Sequence, residues 1–239
     1  MVINTYKFYC EARKKIGRDA LYLLEYASGY DKAEILAGKE IDIKDETYNN
    51  INSLIEKREN GEPLQYLTGR CEFFGLDFEV GEGVLIPRAD TEISVEEVLK
   101  LCPENAKIAD LCSGSGCIAI SVKKNKPNAE VYAYEISDKA ITYLQKNAKI
   151  NNSDIKIIKA DVLKDPKEKD FDIIISNPPY LTNEDMQNLQ QEVTFEPKSA
   201  LYGGEDGLDF YRAITKNAVP MLNPGGLLVY EVGYDQAEQ

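Results

Sequence analysis

The chain has 239 residues, 43% of them apolar, enough for one large domain or for a medium domain with a small companion. Its net charge of −13 is spread along the sequence and its longest basic cluster is Lys123, Lys124 and Lys126, so the concentrated basic face of a nucleic-acid binder is missing. There is no bilayer-length apolar run, no signal-peptide layout, no histidine and no C-x-x-C pair among Cys10, Cys71, Cys102, Cys112 and Cys117, which argues against membrane insertion, a disulfide framework, a zinc site and triad hydrolysis and makes the cytoplasm the expected location.

Residues 1–70 carry helical periodicity. Ala20, Leu21, Leu24 and Tyr26 predict a helix that stops at Ser28-Gly29, with Gly29 as its C-cap. Asp31 is placed to cap a short second helix ending near Gly38, and Asp45 to open a third through Ile51, Leu54 and Ile55 to Asn60-Gly61. The pattern changes over residues 71–86, where Phe73, Phe74, Leu76, Phe78 and Val80 alternate with turn glycines at Gly75, Gly81 and Gly83 before Val84-Leu85-Ile86. This reads as a β-hairpin joining two domains, with Phe73 and Phe74 in its core. Pro87 ends it, and Asp90 or Thr91 caps a helix carrying Ile93, Val95 and Val98.

From Lys107 strands and helices alternate. Strands are predicted at 107–111, 130–134, 155–159, 171–175 and 226–232, and helices at 138–148 and 207–221. In the last helix Leu208, Tyr211, Ile214, Ala218 and Met221 share one face. Such alternation predicts a mostly parallel sheet with helices on both faces.

The strand Ile108-Ala109-Asp110-Leu111 runs into Cys112-Ser113-Gly114-Ser115-Gly116-Cys117, and an apolar helix begins at Ile118. Glycines at such a turn let backbone amides approach a ligand beside a positive helix end. Glu135 ends the next strand, where a carboxylate can accept from both ribose hydroxyls of an adenosine. Gly114, Gly116 and Ala119 fit a nicotinamide dehydrogenase as well. Asp110 favours the other reading, because a pyrophosphate would be repelled there while the ammonium and sulfonium of S-adenosylmethionine are cations. Asp161, after the third strand, is placed either to reach an adenine amino group or to cap its own loop.

Asn177-Pro178-Pro179-Tyr180 follows the buried run Phe171 to Ile175, at the edge where open α/β sheets bind ligands. The Asn177 side chain and a proline carbonyl offer two acceptors to an NH2 group, and Tyr180 offers a flat face. An ordinary proline turn gives the same four letters. With the glycine loop upstream, methylation of a planar nitrogen is the stronger reading.

These features together resemble the N5-glutamine methyltransferases of peptide chain release factors (the HemK/PrmC family). The resemblance spans nearly the whole chain, through Gly61-Glu62-Pro63-Leu64-Gln65-Tyr66-Leu67-Thr68-Gly69, Glu72-Phe73-Phe74-Gly75-Leu76, Leu85-Ile86-Pro87-Arg88-Ala89-Asp90-Thr91-Glu92, the glycine loop, Asn177-Pro178-Pro179-Tyr180 and Phe195-Glu196-Pro197. It implies a Rossmann-like S-adenosylmethionine-dependent methyltransferase domain with a small N-terminal helical bundle joined by a β-hairpin. The expected boundaries are 1–70 for substrate recognition, 71–86 for the hairpin and 87–239 for catalysis. The implied substrate is the Gly-Gly-Gln glutamine of bacterial class I release factors. Asn177, Pro178, Pro179 and Tyr180 would bind it, with Asn177, Pro178 and Tyr180 catalytic. Asp110, Cys112, Ser113, Gly114, Ser115, Gly116, Glu135, Asp161, Val162 and Asn177 would hold the cofactor, and no metal, nucleic acid or membrane is implied for a chain expected to be a monomer.

Two residues depart from the family's pattern. Cys112 stands where a glycine is usual, which predicts a backbone conformation a small side chain tolerates, and Glu135 replaces an aspartate. The chain also stops soon after its last strand, where family members continue, so a truncated C-terminal end is expected. Arg88 and Glu92 are expected to form a buried ion pair in preference to touching substrate. Other readings are a glutamine methyltransferase of a ribosomal protein, a DNA amino-methyltransferase and a non-catalytic module on the same fold.

Overall fold

The computed structural model describes residues 1–164 and 168–237, so the expected domain end at Gln239 lies outside the described residues. The chain divides into two compact units, Met1–Gly69 with Gln191–Phe195, and Arg70–Gln190 with Glu196–Gln239.

In the first unit β1 (Val2–Asn4) pairs antiparallel with β2 (Glu40–Asp42) around α1 (Thr5–Ile16), α2 (Asp19–Ser28) and α3 (Lys32–Leu36), followed by α4 (Asp45–Glu59) and α5 (Leu64–Thr68). Asn4 caps α1, accepting from the Lys7 amide at 3.0 Å. Asp31 forms a full capping box with Glu34, and Gly29 closes α2 in the left-handed region. Leu23, Leu24, Ile35, Ile51 and Ile55 fill the core. Helix α1 and the β1–β2 pair are absent from the sequence reading. The α1 residues Thr5, Tyr9 and Ala12 that are buried are too mixed in polarity to stand out as a stripe.

The second unit opens with the hairpin β3 (Arg70–Phe73) and β4 (Leu76–Glu79). Its two-residue turn, Phe74-Gly75, has φ of 51° and 70°, the left-handed pair that a tight hairpin favours. The hairpin ends at Glu79, and Val84-Leu85-Ile86 is an irregular segment whose Val84 and Ile86 are buried. Next come α6 (Thr91–Leu101), β5 (Lys107–Leu111), α7 (Cys117–Asn125), β6 (Glu130–Glu135), α8 (Asp138–Ile150), β7 (Lys156–Lys159), β8 (Phe171–Ser176), α9 (Asn183–Gln187), α10 (Asp209–Ala218) and β9 (Leu222–Tyr230).

The five later strands form one wholly parallel sheet of order β7-β6-β5-β8-β9. Alternation along each strand sorts side chains to two cores. Ile108, Val131, Ala133, Ile173 and Ile175 pack with Val95 and Val98 of α6, the apolar face of α7, Leu144 of α8, and Phe73 and Phe78 of the hairpin. Ala109, Leu111, Tyr132, Tyr134, Phe171 and Ile174 pack with Ile214 and Ala218 of α10 on the other face. The order reverses between β5 and β8, so their carboxyl ends diverge into a crevice.

Candidate active site

The crevice holds a cavity of about 260 Å³ whose wall is built from the segments that follow β5, β6, β7 and β8, from residues 83–91 ahead of and at the start of α6, and from residues between 197 and 210. From the glycine loop come Cys112, Ser113, Gly114 and Ser115; from the other strand ends come Glu135, Asp161, Val162, Asn177 and Pro179. Asp110, Gly116, Pro178 and Tyr180 do not line it.

The loop is held from below and from the side. The Ser113 amide donates to the Tyr134 carbonyl at 3.0 Å and its hydroxyl to the Asp110 carbonyl at 2.8 Å. Cys112 adopts φ of 64°, in the left-handed region that disfavours an L side chain by roughly 1–2 kcal/mol, so the backbone here is not the tolerant one expected but one that suits glycine better. The Glu135 carboxylate accepts from Gly114 through Oε2 and from Ile136 and Ser137 through Oε1, all at 2.8 Å. Two bonds fill Oε1, while Oε2 keeps a free lone pair toward a ligand. Asp161 caps its own loop, accepting from the Leu163 amide at 3.0 Å, pairs with Lys164 at 3.1 Å, and still lines the cavity.

Asp110 lies beneath the loop. Its Oδ2 accepts from the Ala119 amide in the first turn of α7 at 3.2 Å, and its buried Oδ1 has no partner. Burial pushes the carboxyl up to about 7, against the opposing pull of Ser113 and the Ala119 amide. Asp110 therefore lies behind the cavity wall and not in it.

Asn177 follows β8 directly, and its Nδ2 donates to the Thr91 hydroxyl at 3.2 Å. Behind the turn the backbone of 201–207 closes in: Leu181 and Gly203 exchange backbone bonds with Leu201 and Leu181 at 2.8 and 2.9 Å. A Cβ on Gly203 would lie 2.6 Å from the Pro179 carbonyl oxygen, and one on Gly207, whose φ is 75°, 2.3 Å from that of Tyr180. Only glycine permits this approach. Burial raises the Tyr180 hydroxyl above its ordinary value.

The expected Arg88–Glu92 pair does not form. Arg88 pairs with Glu196, which is buried and also accepts from the Ile86 amide at 3.0 Å, while Glu92 accepts from the Phe74 amide at 2.8 Å. A pair four residues apart is the local guess; the real partner of Arg88 lies 108 residues away in sequence. Thr91 and Glu231 at the site, and the glycines 203 and 207, were not singled out as site residues. The position of Glu231 at the carboxyl end of the last strand was the available signal.

A reversed parallel sheet, a glycine loop under its first central strand and an Asn-Pro-Pro-Tyr turn at the second define an α/β methyltransferase. Residues 89–205 match the family model "Methyltransferase small domain" and residues 7–69 match "PrmC N-terminal domain". A methyltransferase from Pyrococcus furiosus shares the fold with a TM-score of 0.54 at 24% identity, over 69% of this chain and 73% of its own. The release factor glutamine methyltransferase of Geobacter sulfurreducens is 42% identical over 91% of this chain and 77% of its own length. That of Clostridium acetobutylicum is 42% identical over 92% and 80%, and that of Salmonella typhimurium 37% identical over 92% and 80%. The chain belongs to the release factor glutamine methyltransferase family.

Proposed function

We propose that the chain methylates the side-chain amide nitrogen (N5) of the Gly-Gly-Gln glutamine in bacterial class I peptide chain release factors, using S-adenosylmethionine and releasing S-adenosylhomocysteine. What carries the reading is that the match to release factor glutamine methyltransferases runs through both units, the helical one included, at 42% identity. That N-terminal match gives the ribosomal-protein reading no support.

The donor set suits the cofactor. Glu135 Oε2 is the acceptor left for a ribose hydroxyl, Val162 supplies apolar wall, and Asp161 stands where an adenine amino group would end. The partnerless Asp110 Oδ1 favours a cationic ligand above it. When bound, S-adenosylmethionine supplies a methyl group on a sulfonium that needs no acid to leave.

An amide nitrogen is a weak nucleophile, so the protein's contribution is orientation and local electrostatics. The Asn177 carbonyl and the Pro178 backbone carbonyl each accept one N–H of the target amide, and Tyr180 packs on its plane. Pro178 and Tyr180 lie off the cavity wall, which supports a reading with the glutamine on the outer side of the turn and the methyl donor in the cavity. The helical unit, Met1–Gly69, recognises the release factor protein. The proposal places the reaction in the cytoplasm, on a monomer with no nucleic acid partner; separately, no described helix is long and apolar enough to cross a membrane.

The test offers labelled S-adenosylmethionine with purified release factor, ribosomal protein or DNA, and locates the methyl group by mass spectrometry. One added methyl on the glutamine of the release factor peptide is expected. Asn177→Ala should lower turnover about 100-fold, far more than it weakens cofactor binding; an equal loss of both contradicts the assigned role.

A further inference from the structure

Asn177 can serve as an acceptor only if its carboxamide is turned the right way. A carboxamide rotated by half a turn presents NH2 where oxygen stood, and the two forms fill the same space. The visible partner of Asn177 Nδ2 is the Thr91 hydroxyl at 3.2 Å. A hydroxyl donates or accepts with equal ease, so Thr91 cannot choose between the two orientations.

A second group at the same place can. Ser176 and Tyr230 are register partners on the parallel strands β8 and β9, and the Glu231 amide donates to the Ser176 carbonyl at 3.0 Å. Asn177 and Glu231 are therefore the next residues of two neighbouring strands, side by side at the carboxyl edge. Glu231 is fixed there by the Tyr211 hydroxyl, which donates to its carbonyl at 2.9 Å. Its side chain faces both Thr91 and Asn177, and its Oε2 is buried without a partner. An ionised carboxylate only accepts.

We infer that Glu231 is a positioning residue for the proposed methyl transfer: its carboxylate draws the Asn177 NH2 toward itself and Thr91, which leaves Asn177 Oδ1 as the acceptor for the substrate amide. The inference rests on the glutamine-amide reading given above. It assigns a purpose to a buried carboxyl that the cofactor cradle does not use, and to the threonine of the Pro87-Arg88-Ala89-Asp90-Thr91-Glu92 block.

A protonated Glu231 could donate to Asn177 Oδ1 and would no longer exclude the wrong orientation. Burial, helped by Asp90, raises the carboxyl above its ordinary value, while Thr91, Asn177 and Arg88 oppose the rise; Tyr180 and Tyr211 are the other titratable groups facing it. Turnover should therefore fall as pH drops through a range higher than that of a free glutamate.

The test compares wild type with Glu231→Gln, Glu231→Ala, Thr91→Val and Thr91→Ser. Glu231→Ala should lower kcat about 10- to 100-fold with the cofactor Kd changed less than about twofold, Glu231→Gln should flatten the acid limb of kcat, and Thr91→Ser should restore what Thr91→Val loses. In parallel, the side-chain NH2 resonances of Asn177 in nitrogen-15-labelled wild type should shift with the same midpoint as the acid limb and stand still in Glu231→Gln. An unchanged acid limb in Glu231→Gln, or Asn177 resonances that ignore pH in wild type, overturns the assignment. A wild-type chain that leaves every release factor glutamine unmodified refutes the proposed function instead, and the resonances then decide the Glu231 question alone.

Discussion

Replacing Asn147 should loosen the methyltransferase unit at a point the chemistry never touches. Asn147 lies on α8 and is fully buried. Its Oδ1 accepts from the Glu79 amide at 2.6 Å, and its Nδ2 donates to the Glu79 carbonyl at 3.0 Å and to the Ser115 carbonyl at 2.9 Å. One side chain thus ties the hairpin to the glycine loop. Asn147→Ala removes three bonds and strands backbone groups that water reaches poorly; at roughly 1–1.5 kcal/mol for each, the loss is about 3–4 kcal/mol. That is a large part of the 5–15 kcal/mol or so that holds an ordinary domain together. Two units need not unfold together, so a global urea midpoint should be read beside hydrogen exchange at the Glu79 amide. The variant should expose that amide early and weaken S-adenosylmethionine binding through the freed Ser115 carbonyl. A loss below about 1 kcal/mol, with Glu79 still protected, would refute the reasoning.

Asp110→Asn should change how stability depends on pH. The folded carboxyl sits at about 7 against an ordinary 3.8, so the folded state binds the extra proton and the unliganded wild type loses stability as pH rises between those values. The full swing is at most about 4 kcal/mol at 1.36 kcal/mol per pH unit, and the asparagine variant should be flat there and more stable above it. Thermal unfolding of the unliganded protein across that range checks this; parallel curves for both proteins would remove Asp110 as the cause. Gly207→Ala should displace the Asn-Pro-Pro-Tyr turn, since the new methyl would meet the Tyr180 carbonyl oxygen at 2.3 Å with φ at 75°. A stability loss of at least about 2 kcal/mol together with reduced turnover is expected, measured by urea unfolding and methyl transfer.

The alternation of strand and helix was legible because a two-sided sheet repeats one physical requirement many times. Each central strand must be apolar on both faces, so Ile108 to Leu111 and Phe171 to Ile175 stand out at once. The glycine loop and the Asn-Pro-Pro-Tyr turn were legible because their backbone demands few residue types. What escaped was set by tertiary partners. Strand β9 starts at Leu222, earlier than the predicted 226, because Asn223-Pro224-Gly225-Gly226 reads as a turn but forms an irregularity in an edge strand opposite Phe171 and Ile173. Helix α1 hides behind exposed aromatic and basic residues. Glu196 and Asn147 find their partners only once the fold has brought distant segments together, which no local pattern predicts.

That distinction bears on the Pro87 to Glu92 block, one of the stretches that carry the family resemblance. Arg88, Thr91 and Glu92 serve as joints, while Ala89 and Asp90 between them are exposed. Arg88 meets Glu196, Thr91 meets Asn177, and Glu92 meets the Phe74 amide, while the Ile86 amide just ahead of the block donates to the same Glu196. These contacts connect the hairpin, α6, the end of β8 and the segment at Glu196. A residue with one partner tolerates exchange when that partner changes too. A six-residue stretch with obligations to several separate segments can change only if all of them change together, so the block is constrained by these contacts, and its Pro87, Arg88 and Thr91 line the cavity as well. The same logic makes Thr91 more informative than its small side chain suggests: its hydroxyl is the block's contact with Asn177 at the end of β8.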